Sequence, residues 1–340
     1  MKNYEIFNLG DVSLQSGMTL PNAFLAYKTY GKLNEKKDNV IVYPTAFGDQ
    51  HTNNEWLIGK GMALDPQKYF IIVPNLLGNG LSSSPSNTPA PYDKANFPQV
   101  TIYDNVQLQY RLITEKFGIQ KIALVVGWSM GGLQSFQWGV SHPEMVNRIA
   151  SFCGNAKTWP QTYVVLNGLK AALLASVGSD STKLNQLTSQ DMRAVGRVYA
   201  GWGLSQTFYK EELYREMGFN SLEDFSVGVW ENSFMNMDPH NVLSMLWTGQ
   251  HADISANSNY NGEFDEALKS IKAITYIMPG STDLFCTAEA NEYEAKFIPN
   301  VEYHPIKSVW GHFAGRGINS TDNAFIDNKL KRLMTLRTEN

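Results

Sequence analysis

Two cysteines and six histidines in 340 residues, with no excess of positive charge, set the first limits on this chain. Two thiols cannot build a disulfide framework and suit a reducing compartment. Cys153 and Cys286 are therefore expected to be free and partly buried, near the ends of neighbouring strands, and the chain is expected to be cytoplasmic. A net charge of -4 and an isoelectric point of about 5.9 leave no footprint for nucleic acid or an anionic membrane surface. No apolar stretch reaches bilayer-spanning length, since even Val164 to Val177 is interrupted by Asn167 and Lys170. The opening Met1-Lys2-Asn3-Tyr4-Glu5-Ile6 lacks the apolar region of a signal peptide, so Asn319-Ser320-Thr321 reads as a loop and not as a glycosylation acceptor. Leu76-Leu77-Gly78-Asn79-Gly80 lacks the lysine of a phosphate-binding loop and reads as a turn after a strand.

What is present is a large core. With 43% hydrophobic and 18% charged residues, the chain can bury one big domain carrying an insertion. Val40-Ile41-Val42-Tyr43 and Phe70-Ile71-Ile72-Val73 read as buried strands ending at turn signals, and Val106, Tyr110, Ile113 and Phe117 trace a helix face that stops at Gly118. That is the alternation of a mostly parallel sheet. Between about Trp159 and Ala267 the strand patterns vanish, and helix-like stretches rich in Trp, Met and Tyr take over. Residues 159–267 are read as a helical cap inserted after the sixth strand, with 1–158 and 268–340 forming the core. The cap's Trp159, Trp202, Trp230 and Trp247, with Met192, Met217, Met235, Met237 and Met245, either line a pocket or fill a core. At helical spacing the second is the commoner use.

The most informative stretch is Val125-Val126-Gly127-Trp128-Ser129-Met130-Gly131-Gly132: an apolar run, G-x-S-x-G, then residues able to begin a helix. A serine on a sharp strand-to-helix turn projects its Oγ above the sheet edge, where a histidine reaches it and the next backbone N–H faces a developing oxyanion. The same glycines would serve a plain tight turn, so the flanks decide. Lys121 to Val126 reads as a buried strand, and Met130, Leu133, Phe136, Gln137 and Val140 follow at spacings of three and four, stopping before Pro143. Ser129 is the expected nucleophile.

A nucleophilic serine needs a base and a group that orients the base. Ala273 to Met278 reads as a buried strand followed by Pro279-Gly280-Ser281-Thr282-Asp283, which makes Asp283 the candidate acid. Val301 to Ile306 reads as another strand, followed by Ser308-Val309-Trp310-Gly311-His312-Phe313, which makes His312 the candidate base. The order Ser, Asp, His is the one that a nucleophile elbow of this kind uses. His51, after Ala46-Phe47-Gly48, is the chief competitor but precedes Ser129. His142 and His304 adjoin prolines in structural settings, and His240 and His251 fall in the cap.

Over nearly its whole length the chain resembles the homoserine O-acetyltransferase family of α/β-hydrolases. Leu14-Gln15-Ser16-Gly17 with Ala26-Tyr27-Lys28-Thr29-Tyr30-Gly31-Lys32-Leu33-Asn34 is similar to the family's opening hairpin. Asn75-Leu76-Leu77-Gly78, Phe97-Pro98-Gln99-Val100-Thr101-Ile102, Ser129-Met130-Gly131-Gly132 and Gly311-His312 match its later signatures. The resemblance implies an α/β-hydrolase fold, a mostly parallel eight-stranded sheet with an inserted helical cap, and a homodimer joined partly through that cap.

The chain departs from the transferases where Trp128 replaces a glycine before the nucleophile and where Pro44-Thr45-Ala46-Phe47-Gly48 lacks an initial histidine. It departs again in the cap, where only Arg193-Ala194-Val195-Gly196, or equally Arg197, approaches the arginine that holds the substrate carboxylate. Phe152 to Thr158, Tyr199 to Gln206 and Ser308 to Gly315 look instead like a side branch made mainly of hydrolases. The expected reaction is hydrolysis of a small acyl ester through an acyl-enzyme, with no metal or organic cofactor. The oxyanion would meet the N–H of Met130 and of Ala46, with Phe47 as the fallback, while Trp128, Arg193 and Arg197 are the candidate substrate contacts. The alternatives are acetyl transfer from acetyl-CoA to the hydroxyl of homoserine or a similar amino acid, and a ligand-binding protein on a hydrolase scaffold.

Overall fold

The computed structural model describes residues 3–178 and 180–337. Eight strands, β1 (Glu5–Ser13), β2 (Thr19–Tyr30), β3 (Val40–Val42), β4 (Phe70–Pro74), β5 (Leu124–Trp128), β6 (Arg148–Phe152), β7 (Ile274–Met278) and β8 (Val301–Tyr303), form one sheet in the order β1-β2-β4-β3-β5-β6-β7-β8. The β1–β2 and β2–β4 pairs are antiparallel and the remaining pairs parallel. The parallel strands β3, β4 and β5 are buried at every position. This is why they read as continuous apolar runs: helices cover both faces of a parallel sheet. Alternate residues feed opposite cores, Ile41, Leu124 and Val126 on one face and Val40, Val42 and Val125 on the other.

Two strand expectations shift in register. The run at Lys121–Val126 becomes a strand only at Leu124 and continues through Trp128, so the turn that carries Ser129 begins directly at the strand's end. The run at Val301–Ile306 keeps strand form only to Tyr303. Pro305 has no N–H to offer a ladder, and contact resumes as an isolated bridge between Ile306 and Gly280.

Helix α1 (Ile102–Arg111) starts at a reciprocal cap: Asp104 N–H donates to Thr101 Oγ1 at 3.1 Å, and Thr101 N–H donates to the Asp104 carboxylate at 2.9 Å. Helix α2 (Met130–Ser141) leaves the turn at Ser129 and ends at His142, as the proline after it requires. A buried amide chain ties the two together. Trp138 Nε1 donates to Gln109 Oε1 at 2.9 Å, Gln109 Nε2 donates to Gln134 Oε1 at 2.6 Å, and Gln134 Nε2 donates to the Thr45 carbonyl at 3.0 Å. The base of α2 is thereby fixed to the loop after β3, the two elements that a nucleophile and an oxyanion hole would share.

Between β6 and β7 the described chain forms helices and turns, including α3 (Pro160–Leu174), α4 (Met192–Gly203) and the helix Pro239–Gln250. The two passages of chain at the base of this segment pair with each other. Thr158 N–H donates to Ala252 O at 2.8 Å, and Ile254 N–H donates to Ala156 O at 3.2 Å. Beyond that neck, Phe264, Ala267 and Leu268 pack into the core on the far face of the sheet with Ile271 and Ile277. We propose that the cap, expected over 159–267, is the part above this neck, with the short helix Phe264–Lys269 packing on the sheet before β7. Among the described residues no helix is long and apolar enough to cross a membrane.

Candidate active site

Ser129 sits between the last residue of β5 and the first of α2 with φ 54° and ψ -121°. A non-glycine residue held there stores on the order of 1–3 kcal/mol of backbone strain. The glycines around it are sterically required. A Cβ on Gly127 would lie 2.1 Å from the Gly131 carbonyl carbon, and one on Gly131 would lie 2.7 Å from the Pro44 carbonyl oxygen. The G-x-S-x-G spacing thus lets strand, helix and the loop after β3 close on one point.

Three loops from the carboxyl ends of β5, β7 and β8 converge there. His312 Nε2 lies 2.8 Å from Ser129 Oγ, and His312 Nδ1 lies 2.8 Å from Asp283 Oδ2. The other Asp283 oxygen accepts from the N–H groups of Phe285 at 2.7 Å and Cys286 at 2.9 Å. With Nδ1–H directed at a carboxylate fixed in this way, Nε2 is left as the acceptor facing the serine hydroxyl. All three side chains are buried. The acid and histidine loops are laced together by Thr282: its Oγ1 donates to Ser308 O at 2.8 Å and accepts from Gly311 N–H at 3.2 Å. The residue before the histidine must be glycine, because Gly311 has φ 57° and a Cβ there would meet Ser205 N at 2.9 Å.

The remaining histidines are engaged elsewhere. His51 is buried, with Nε2 3.1 Å from Asn3 Oδ1, and burial lowers its proton affinity. His142 stacks on Tyr110 at 4.2 Å, His251 stacks on Trp247 at 4.1 Å, His304 faces Glu302 at 2.9 Å, and His240 meets the Leu184 carbonyl at 3.0 Å.

Beside Ser129 is a narrow cavity whose walls include Phe47, Met130, Leu133, Leu166, Tyr199 and Phe285. Met130 opens α2, so its N–H is one of those a helix start leaves without an intrahelical acceptor. Among the described residues no protein group accepts from the N–H of Ala46 or of Phe47. Of these two, Phe47 borders the cavity, while Ala46 is buried and its carbonyl accepts from Asp49 N–H at 3.1 Å.

Other expected contacts lie elsewhere. Trp128 does not border the cavity: it packs behind His312 at a ring distance of 5.0 Å and donates from Nε1 to the His312 carbonyl at 2.9 Å. Arg193 and Arg197 are not brought to Ser129 either. Both clamp the buried Glu231, at 2.7 and 2.5 Å, and Arg197 also forks onto Glu223. They line a separate surface cavity. The physical reason is that an isolated buried carboxylate draws the nearest guanidinium groups to itself. None of the cap tryptophans and methionines singled out in the sequence borders the cavity; Thr162, Leu166, Leu169, Tyr199 and Gly249 supply the cap's share. Sequence reasoning also passed over Asn155 and Phe285. The latter had a signal, two residues after the acid on the same loop.

Both cysteines are free and fully buried, deeper than expected, and burial raises their thiols well above the ordinary range, which leaves them poor nucleophiles. Cys286 also borders the cavity. Glu294 is buried behind the wall. It accepts from Ala156 N–H at 3.0 Å, Trp159 Nε1 at 2.8 Å and Asn291 Nδ2 at 2.9 Å, and burial pushes its carboxyl up to about 7. These bonds fix the 154–159 segment that forms one side of the cavity. Among the described residues no group of three or more His, Cys, Asp or Glu side chains could hold a metal ion.

Residues 39–192 match the family described as alpha/beta hydrolase fold. The chain is 36% identical to the ethyl acetate hydrolase of Pseudomonas veronii, over 95% of this chain and 92% of that one. It is 30% identical to the homoserine O-acetyltransferase of Methanococcus vannielii, over 92% of this chain and 69% of that one. The crystal structure of an acetylester hydrolase from Corynebacterium glutamicum superposes with a TM-score of 0.92 at 35% identity, covering 98% of this chain and 96% of that one. The chain belongs to the α/β-hydrolase family. Within it, the relatives include both acetyl-ester hydrolases and homoserine O-acetyltransferases.

Proposed function

We propose that this protein is a serine hydrolase of short-chain acyl esters, with Ser129 as nucleophile, His312 as general base and then acid, and Asp283 as the group that orients the imidazole. The observation that carries this reading is the buried chain of contacts from Asp283 through His312 to Ser129 Oγ, each 2.8 Å long. Ser129 Oγ attacks the ester carbonyl as its proton passes to His312 Nε2, and Asp283 stabilises the imidazolium. The oxyanion is held by Met130 N–H and an N–H of the Ala46–Phe47 step, each donor worth about 3 kcal/mol in the transition state. His312 then protonates the departing alkoxide, and water, activated by the same histidine, releases the acid.

Two features favour hydrolysis of a small ester. The cavity beside Ser129 is narrow and walled mainly by apolar side chains, a setting for the acyl part of a small ester. An amino-acid acceptor needs a fixed cation for its carboxylate, yet Arg193 and Arg197 are committed to Glu231. The cation among the lining residues, Lys157, lays its ammonium over the rings of Phe264 and Trp159 at 4.0 and 4.6 Å. On p-nitrophenyl esters, kcat/KM is expected to be highest for acetate and to fall about tenfold per added methylene beyond propionate. With acetyl-CoA and millimolar homoserine, mass spectrometry should detect no O-acetylhomoserine above the hydrolysis product; transfer outpacing hydrolysis would promote the acetyltransferase instead.

The homodimer and cytoplasmic setting belong to the same proposal. The outer face of α3 carries the exposed Tyr163 and Val164, apolar surface suited to contact between copies. Light scattering at micromolar concentration should return twice the chain mass of 38.1 kDa; a monomer mass rejects the dimer and leaves the chemistry untouched.

A further inference from the structure

Against Trp128, which packs on His312, lies a buried ion pair that the proposed reaction does not use. Asp49 Oδ2 accepts from Arg316 Nη1 at 2.7 Å, and Asp49 Oδ1 accepts from Arg316 Nη2 at 2.6 Å, a two-pronged contact between residues 267 positions apart. The carboxylate is almost wholly buried and the guanidinium mostly so. A pair taken out of water in this way costs about as much desolvation as it returns in attraction, so stability alone is a weak reason for its presence. Its location is the informative part.

Asp49 closes the turn that carries the candidate oxyanion donors. Its N–H donates to Ala46 O at 3.1 Å, and its carbonyl accepts from Asn79 Nδ2 at 2.9 Å. Arg316 closes the turn that carries the base, with its N–H donating to Phe313 O at 3.1 Å. Between the two turns stands Trp128. Its ring takes the Arg316 guanidinium at 4.9 Å on one side and meets the His312 imidazole at 5.0 Å, and its Nε1 holds the His312 carbonyl. The histidine turn ends on a glycine packed between rings: a Cβ on Gly315 would lie 2.6 Å from both Phe152 Cδ2 and Trp128 Cδ1.

We propose that Asp49 and Arg316, locked against Trp128, are positioning residues that hold the oxyanion turn and the histidine turn in register across Ser129. The assignment rests on the reading of Ser129, His312 and Asp283 as the reacting groups. It explains the bulky residue at 128, which a plain nucleophile turn does not require. It also sets the local field. Asp49 faces Arg316, His312, Tyr43 and Tyr199, and burial pushes its carboxyl up to about 6 even with the guanidinium beside it. An ionised Asp49 carboxylate places a negative charge within electrostatic reach of His312.

The test is a set of three variants assayed for acetyl-ester hydrolysis from pH 5 to 9. Asp49→Asn keeps an acceptor for Arg316 but removes the negative charge. It is expected to lower kcat about tenfold with KM changed less than twofold, because register across Ser129 matters to the transition state more than to the bound ester. It should also move the acid limb of kcat/KM to lower pH by about half a unit, since an orphaned Arg316 now opposes protonation nearby. Arg316→Lys, which keeps the charge but loses the two-pronged plane stacked on Trp128, should lower kcat with the acid limb in place. The double variant Asp49→Asn/Arg316→Met should bring the acid limb back to its original position while kcat stays low. A merely structural pair would lower the melting temperature and the yield of active enzyme, leaving the limb fixed in all three. An unmoved limb in Asp49→Asn, or a kcat within twofold of wild type in that variant and in Arg316→Lys, overturns the proposal. Neither result touches the triad, which falls only if replacing Ser129 leaves hydrolysis intact.

Discussion

Ser129→Ala is expected to abolish ester hydrolysis, a loss in kcat of about a million-fold if serine and histidine act as one unit, together with all labelling by a fluorophosphonate probe. The fold should survive, because the hydroxyl contributes one contact, to His312 Nε2, and the residue's burial comes from its neighbours. Ser129→Gly separates chemistry from strain. At φ 54° glycine is free of the Cβ penalty, so this variant should be equally inactive yet more stable by about 1 kcal/mol, read as a raised melting temperature. The pair of results would mark Ser129 as a residue whose strained backbone is retained for its reaction. Undiminished labelling of Ser129→Ala would place the nucleophile elsewhere and remove the hydrolase reading with it.

The central part of the candidate site is legible in the sequence because each of its three residues carries a local signature. Ser129 lies between an apolar run and a helical pattern, and Asp283 and His312 each follow a run that ends in a loop. A parallel sheet places all such loops at one edge, so order along the chain converts directly into proximity in space. What stayed hidden depends on partners distant in sequence. Arg193 and Arg197 read as substrate contacts until Glu231 came into view, 38 and 34 positions away and buried between them. The role of Trp128 depends on Arg316 and on the backbone of His312, neither of which local pattern announces. The cap's aromatic residues carried no directional signal at all. Trp230 faces Tyr199, Phe225 and Phe313 in the core beneath the cap, and Trp247 stacks on His251. Leucines and Tyr199, ordinary in composition, form the wall beside the serine.

The choice of base gives the second large effect. His312→Ala should lower kcat by roughly the same factor as Ser129→Ala, because the serine hydroxyl loses the acceptor 2.8 Å from it. Asp283→Asn should lower it by about 10⁴, the cost of an amide that can hold the imidazole in the wrong tautomer. The local geometry makes that tautomer accessible. One oxygen of Asp283 is pinned by the N–H groups of Phe285 and Cys286. In the variant these two donors select the amide oxygen for that place, which turns the amide NH₂ toward His312 Nδ1, where the carboxylate had accepted. The imidazole then carries its proton on Nε2 and cannot take one from Ser129. His51→Ala is the control. His51 bonds to Asn75 and Asn3 and does not border the cavity, so its replacement should leave kcat within a fewfold of wild type and act on stability alone. A severe loss of kcat in His51→Ala beside a mild one in His312→Ala would reverse the assignment, and with it the role of Asp283.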